Sequence, residues 1–362
     1  MRIILSGGGT IGSVSPLLAV REELIKQQVS AEFIWIGTEN GLEREILAEE
    51  DIPFFAIKSG KWRRYFSLNN FFDLFRFVFG FFQAIKIIRT FKPDLILSAG
   101  SFVSVPIVIA GALFHTRIII HQQDLTPGLA NRLMAPLAAK ITVTFEESLK
   151  YFPAGKTVLT GNPVRSKIIF SDKESAKQHF GLEVGLPTVL VMGGSLGAEA
   201  INKLLFESIT KMIEFCQIIH IVGKGNMVEW TDKEKFGSLA GRYHSFEYMF
   251  LELGQAYAAA DLVVCRAGLA TLTELCFLGK PTVLIPIPNN QQEENAGYFD
   301  SKNAVVVFAE AESSSEKFID LIKNLLADSG SLIRLGDNMK RAMKQGANEN
   351  YLAVIMPIND EK

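Results

Sequence analysis

Short apolar runs alternate with stretches of helical period along the chain, and this alternation predicts an architecture before any motif is considered. In the first half, strand-like runs fall at 2–6, 32–37, 53–57, 94–98, 117–121, 140–144 and 157–160, with helices expected near 16–28, 40–50, 68–91, 104–114, 126–136 and 146–152. The second half repeats the pattern, with strands at 187–192, 216–221, 242–246, 261–264, 281–287 and 304–307. Near-continuous apolar strands separated by helices are the pattern of parallel sheets covered on both faces. The predicted fold is therefore α/β, two Rossmann-like parallel-sheet domains facing across a cleft. The turn-rich Gly161-Asn162-Pro163-Val164 marks the boundary, giving domains at 1–163 and 164–340. The stretch from Leu332 to Met356 reads as helical with no strand after it, so a terminal helix at about 341–362 is expected to pack back on the first domain.

Each half opens with a strand that runs into a glycine-rich turn: Gly7-Gly8-Gly9-Thr10-Ile11-Gly12 in the first, Gly193-Gly194-Ser195-Leu196-Gly197 in the second. Glycine permits the tight turn, and the helix that follows offers unpaired N–H groups to an anion. Two such turns predict an anionic ligand, a nucleotide by preference. The first turn formally satisfies G-x-G-x-x-G. However, the second strand ends Trp35-Ile36-Gly37-Thr38 and its acid, Glu39, comes late, so the dinucleotide fingerprint is weakly supported.

Composition narrows this further. A net charge of -2 over 362 residues gives no global attraction to nucleic acid, so an anion site must be local. Cys216, Cys265 and Cys276 form no C-x-x-C pair and no metal cluster, which fits buried thiols in a reducing compartment. No signal peptide precedes the first strand, so a cytoplasmic location is expected.

Further polar residues stand at strand ends of the second half. Glu274, in the helix that follows Cys265-Arg266-Ala267-Gly268, is either a ribose-gripping carboxylate or an ordinary surface acid. Gln291 and Gln292 open another helix, where side-chain amides can read sugar hydroxyls or simply form a polar helix start. Together and in order, Gly-Gly-Gly-Thr-x-Gly, Gly161-Asn162-Pro163-Val164-Arg165, Gly193-Gly194-Ser195-x-Gly197-Ala198, Cys265-Arg266-x-Gly268 with Glu274, and Gln291-Gln292-x-x-Asn295-Ala296 resemble the MurG family. These are GT-B fold transferases that move N-acetylglucosamine from UDP-N-acetylglucosamine to lipid I, the undecaprenyl-pyrophosphoryl muramyl-peptide, making lipid II in peptidoglycan synthesis. The resemblance implies that Arg165, Ser195 and Gly194 face the donor diphosphate, Glu274 the uridine ribose, and Gln291 and Gln292 the sugar. Gly9, Thr10 and Gly12 would face the acceptor pyrophosphate. It implies no cofactor, and a place on the cytoplasmic face of the membrane.

Two departures bear on the chemistry. The family's Gly-Gly-Thr-Gly-Gly-His becomes Gly8-Gly9-Thr10-Ile11-Gly12-Ser13, and a serine cannot replace imidazole as a base near neutral pH. The family's His-Glu-Gln-Asn becomes His121-Gln122-Gln123-Asp124, moving the carboxylate two positions along the loop. Asp124 is thus the leading candidate for the base and His121 the second, with Ser13 in the place of the family histidine. The structural alternative makes Asp124 an N-cap for a helix from Pro127. No Asp-x-Asp occurs, so no bound metal is expected. Three other readings stay open: a transferase with another lipid acceptor such as diacylglycerol, since the donor side matches the family better than the acceptor side; a UDP-sugar epimerase of the same fold; and a catalytically silent lipid-binding relative, which loss of the family histidine permits.

The acceptor lipid stays in a bilayer, which directs attention to Lys61-Trp62-Arg63-Arg64-Tyr65-Phe66 and the stretch after it. Of 27 phenylalanines, 11 fall between Phe54 and Phe91. Charges at Asp73, Arg76, Lys86 and Arg89 exclude a spanning helix. Trp62, Arg63, Arg64, Phe71 and Phe72 are expected to meet an anionic membrane surface, while much of 74–88 is expected to pack on the sheet.

Overall fold

The computed structural model describes residues 1–9, 11–41, 43–48, 50–60, 69–169, 172–194, 197–226, 236–249, 252–312 and 314–356, and the backbone alone at 11, 69–72, 74 and 312. The chain divides into two compact units: Met1–Arg165 together with the segment from Lys344 onward, and Ser166–Met343.

The first unit carries seven strands, β1 (Arg2–Ser6), β2 (Glu32–Thr38), β3 (Phe54–Ile57), β4 (Leu95–Ser98), β5 (Arg117–Gln122), β6 (Lys140–Val143) and β7 (Thr157–Leu159). The second carries β8 (Thr188–Met192), β9 (Gln217–Ile221), β10 (Tyr243–Phe246), β11 (Leu262–Cys265), β12 (Thr282–Leu284) and β13 (Val306–Val307). Their orders, β3-β2-β1-β4-β5-β6-β7 and β10-β9-β8-β11-β12-β13, repeat one topology. In each sheet the first strand lies between its second and fourth, in parallel register: Ile4 opposite Ile34 and Ile96, Leu190 opposite Ile219 and Val263. Chain direction across the sheet reverses there, and at such switch points the loops at the carboxyl ends of the strands part to leave a ligand crevice. Both glycine-rich turns leave the sheets at these points. The α/β parallel-sheet prediction holds, and the predicted strands match the observed ones to within a few residues.

Burial explains why the runs become central strands. Ile3, Ile4, Leu5, Ile119, Ile120, Val189, Leu190 and Val191 are all fully enclosed, which requires apolar cover from helices on both faces. Two predicted elements differ from expectation. The run at 281–287 ends as a strand at Leu284, ahead of Pro286, which has no N–H to give a ladder. The C-terminal stretch is two helices, Ser329–Ala342 in the second unit and Ala347–Ile355 in the first, separated at Gly346, whose φ of 70° lies in the left-handed region.

The returning helix is stitched to the first unit by side chains. Asn348 accepts from Val164 N–H at 2.8 Å and donates to Val164 C=O at 2.9 Å, and Asn350 donates to Thr160 C=O at 3.1 Å. Arg117 caps the far end, donating to the carbonyls of Val354 and Ile355 at 2.7 and 2.6 Å.

The helix Asn69–Phe91 packs much of 74–88 on the sheet, as expected, and also carries an outward apolar face. Its inner face buries Ala84 and Ile88, with Phe77, Phe81 and Ile85 packed against the same core. Phe75, Phe79 and Phe82 point outward, 52, 60 and 61% exposed. Positions i, i+4 and i+7 form one stripe along a helix, so these three rings make a continuous apolar face and not scattered exposure. Trp62, Arg63 and Arg64 lie outside the described residues, as do the side chains of Phe71 and Phe72. Among the described residues, no helix is long and apolar enough to cross a membrane.

Candidate active site

In the first unit the β1 turn is held by hydrogen bonds from three directions. The hydroxyls of Ser13 and Ser101 both donate to Gly8 C=O, at 3.2 and 2.9 Å, and Trp35 Nε1 donates to Gly7 C=O at 2.9 Å. The N–H of Gly9 donates to the carboxylate of Glu43 at 3.0 Å. Ser13, at the family histidine position, is buried and braces the turn. Gly12 sits in the short 3-10 turn that follows, and Thr10 lies outside the described residues.

Beside this turn, the end of β5 presents the second cluster. His121 is fully buried, with Nε2 2.9 Å from Asn162 Oδ1 and Nδ1 2.8 Å from Thr142 Oγ1. An amide oxygen can only accept, so Nε2 carries the hydrogen and Nδ1 accepts from the threonine. Burial pushes the imidazole down to about 4, the Asn162 side chain and the Thr142 backbone only partly opposing this, so the ring is neutral at physiological pH. The ring stacks edge-on against the buried Tyr351 of the returning helix, centroids 5.6 Å apart.

Asp124 lies half-buried in the loop that follows. That loop is shaped by Gln122, whose amide donates to the carbonyls of Asp124 and Thr126 at 2.7 and 3.3 Å while accepting from Asn131 at 2.7 Å. A glutamate at 122 would have no hydrogens for those carbonyls, which accounts for the amide there. Ser148 donates to Leu125 C=O at 2.9 Å. The next helix is Leu129–Met134 with Gly128 at its cap, so Asp124 is not the N-cap residue that the structural alternative required. Gln123 donates to Ala99 C=O at 2.9 Å, and Ser101 reaches Gly8, so the exit of β4 joins the Asp124 loop to the glycine turn.

In the second unit, the β8 turn places Gly194 at φ 107° and closes with Gly197 N–H donating to Gly194 C=O at 3.0 Å. Ser195 lies outside the described residues. A buried polar strut stands behind the turn: Asn202 donates to Val222 C=O at 2.9 Å and meets His220 Nε2 at 3.0 Å, while His220 Nδ1 meets Tyr243 Oη at 3.0 Å. Burial lowers His220 to about 3, so this strut is uncharged.

Glu274 is buried in the helix Leu269–Leu278, where the surface-acid reading would have exposed it. Its Oε2 accepts from the hydroxyl of Tyr257, itself fully enclosed, at 2.9 Å. Gln291 and Gln292 are the first residues of the helix Gln291–Ser301, both half-exposed, with the Asn290 side chain accepting from Gln292 N–H. Gln292 Oε1 accepts from Ile287 N–H at 3.3 Å. Asn295, one turn on, donates to Ala267 C=O at 3.1 Å and so joins this helix to the loop after β11. Arg266 in that loop donates to Ile285 C=O at 2.9 Å and pairs with Glu310. Gly194, Glu274 and the two glutamines therefore share the carboxyl edge of one sheet. Arg165, the last residue of the first unit before the crossing, is buried.

Tyr257, Glu43, Asn202 and His220 escaped the reading of the sequence: Tyr257 and His220 are single residues in largely apolar surroundings, and Glu43 and Asn202 look like ordinary polar positions of helices that carry several charges. All three cysteines are buried; burial pushes Cys216 and Cys265 up to about 12 and Cys276 further, leaving them inert. Among the described residues, no three His, Cys, Asp or Glu side chains converge as metal ligands.

Comparison with known proteins matches residues 3–143 to the glycosyltransferase family 28 N-terminal domain and 188–350 to its C-terminal domain. The chain is 38% identical over 358 residues to the UDP-N-acetylglucosamine–N-acetylmuramyl-(pentapeptide) pyrophosphoryl-undecaprenol N-acetylglucosamine transferase of Clostridium tetani, covering 98% of this chain and 97% of the relative. In fold it is similar to MurG of Acinetobacter baumannii, with a TM-score of 0.71 at 23% identity and 99% of each chain covered. It is also similar to a UDP-GlcNAc 2-epimerase of Neisseria meningitidis, with a TM-score of 0.69 at 13% identity, covering 99% of this chain and 100% of that one. Both family-28 halves are present in order and the identity runs nearly end to end, so the chain belongs to the MurG family of glycosyltransferases.

Proposed function

We propose that this chain transfers N-acetylglucosamine from UDP-N-acetylglucosamine to undecaprenyl-pyrophosphoryl-MurNAc-peptide, lipid I, with inversion at the sugar, forming lipid II. The observation that carries the reading is 38% identity across 98% of the chain to a relative of that activity.

The second unit binds the donor in this reading. Gly194 and Ser195 hold the diphosphate, with Arg165 supplying positive charge to the departing UDP. Glu274 grips the ribose hydroxyls, supported by its burial and by the tyrosine that fixes one oxygen. Gln291 and Gln292 read the sugar. The first unit takes the acceptor, its pyrophosphate at the turn containing Gly9, Thr10 and Gly12. Because Gly9 N–H already donates to Glu43, the rest of that turn supplies the donors for the pyrophosphate.

Asp124 is the base. Its carboxylate removes the proton of the acceptor hydroxyl as that oxygen attacks the anomeric carbon, and the bond to UDP breaks with its electron pair leaving on the phosphate oxygen. Its half-buried place in a loop pinned by Gln122, Gln123 and Ser148 supports this role, whereas the neutral, enclosed His121, bonded to Thr142 and Asn162, suits a structural part and Ser13 holding the turn. The lack of an Asp-x-Asp sequence supports a reaction without a divalent metal, the departing charge being met by Arg165 and helix N-termini. The exposed phenylalanine stripe supports docking of the first unit on the cytoplasmic face of a membrane.

The test is UDP release from UDP-N-acetylglucosamine with and without a lipid I analogue, in EDTA. Acceptor-dependent release is expected. Release that needs no lipid, or donor binding without release, would overturn the assignment in favour of another acceptor or a silent site. Loss in EDTA restored by magnesium would overturn metal independence alone.

A further inference from the structure

Glu43 is fully buried, yet no step assigned above uses it. Its carboxylate accepts hydrogen bonds from Gly9 N–H at 3.0 Å, from Thr38 N–H at 2.7 Å and from the Thr38 hydroxyl. A carboxyl group without hydrogen-bond donors is costly to bury; three donors converging on it make it a built site. The backbone is shaped to admit it. A Cβ at Gly8 would lie 2.3 Å from Glu43 Oε1, and one at Gly41 would lie 1.9 Å from Oε2. Gly8 is thus a glycine because Glu43 occupies the space beside it.

Gly8 C=O and Gly9 N–H belong to the same peptide group. The carbonyl takes the hydroxyls of Ser13 and Ser101, and the amide takes Glu43, so the plane of this peptide is fixed at both ends. Without those partners it would be free to rotate, since it lies between two glycines, the second at φ 86°. We propose that Glu43 is a positioning residue for the acceptor: it orients the Gly8–Gly9 peptide and thereby sets which amides of the β1 turn face the pyrophosphate. The proposal rests on the reading of that turn as the acceptor side.

The experiment uses the full chain with Glu43→Gln, which keeps the shape but sets an amide NH2 against a donor, and Thr38→Val, which removes one hydroxyl donor and leaves the carboxylate. Amide hydrogen exchange over residues 7–13 and separate KM values for UDP-N-acetylglucosamine and a lipid I analogue are measured in both. Faster exchange is expected in both. Acceptor KM should rise at least tenfold in Glu43→Gln and a few-fold in Thr38→Val, with donor KM within twofold of the parent. Unchanged exchange, or unchanged acceptor KM in both variants, overturns the proposal. Faster exchange with a rise confined to donor KM overturns instead the acceptor reading on which it rests. Should Glu43→Gln fail to fold, Thr38→Val carries the same comparison.

Discussion

Tyr257 donates its buried hydroxyl to Glu274 Oε2 at 2.9 Å, across two helices that lie on the same sheet of the second unit. A hydrogen bond to a charged group contributes about 1.5–3 kcal/mol, and it selects one orientation of the carboxylate. Tyr257→Phe keeps the ring and its packing. It is expected to raise KM for UDP-N-acetylglucosamine by about tenfold or more while leaving acceptor KM near the parent value. Steady-state kinetics with each substrate varied in turn will decide it; an equal rise in both KM values would show a general packing defect.

The pair also marks where the sequence is legible and where it is not. Strand positions follow from local apolar runs such as Arg2–Ser6 and Thr188–Met192, so periodicity locates them and, through the glycine turns, the switch points. Glu274 was identified as a carboxylate in a helix, but its burial depends on Tyr257, 17 residues upstream, and no local pattern links the two. Likewise, Gly8 reads as a phosphate-loop glycine until Glu43, 35 positions along the chain, is seen filling the space where its side chain would stand. The outward stripe of Phe75, Phe79 and Phe82 is not legible in the sequence because phenylalanines fall on both the buried and the exposed sides of the helix, Phe77 and Phe81 packing inward.

Asp124→Asn leaves in place the hydrogen bonds that Gln122 and Ser148 make to the backbone carbonyls of Asp124, Leu125 and Thr126. General-base catalysis contributes roughly 10²–10⁴-fold. Turnover is expected to fall at least 100-fold, with donor KM little changed. Turnover within a few-fold of the parent would remove Asp124 from the reaction.

Burial holds His121 neutral down to about pH 4, whereas an unfolded chain protonates it near 6.5. Between those values the unfolded state binds the extra proton, so stability falls as pH drops from 6.5 toward 4 and this contribution then levels off. The loss for this group is about 3 kcal/mol. His121→Gln retains donor and acceptor capacity without titrating there. Denaturant unfolding at pH 7 and pH 4.5 should therefore give a smaller difference for the variant than for the parent. Equal differences would mean that other groups set the acid sensitivity.

The phenylalanine stripe leads to the last prediction. Transferring one phenylalanine ring out of water is worth about 1.5–3 kcal/mol, so two rings that enter a bilayer interface account for a large part of peripheral binding. Phe79 and Phe82 are the most exposed of the three, and neither belongs to the buried core, Phe82 only meeting the ring of Phe81 edge-on, so Phe79→Ser with Phe82→Ser should leave the fold and the affinity for UDP-N-acetylglucosamine intact. Flotation with vesicles containing anionic lipid is expected to fall by an order of magnitude or more. Raising salt should weaken the parent only in part, because screening acts on charges such as Lys86 and not on buried apolar area. Replacing Arg63 and Arg64 tests the electrostatic share separately. If flotation of the double phenylalanine variant matches that of the parent, the stripe does not contact lipid. If it falls while UDP release on a short-chain, water-soluble lipid I analogue stays unchanged, the stripe acts by bringing the enzyme to its acceptor and not by shaping the site.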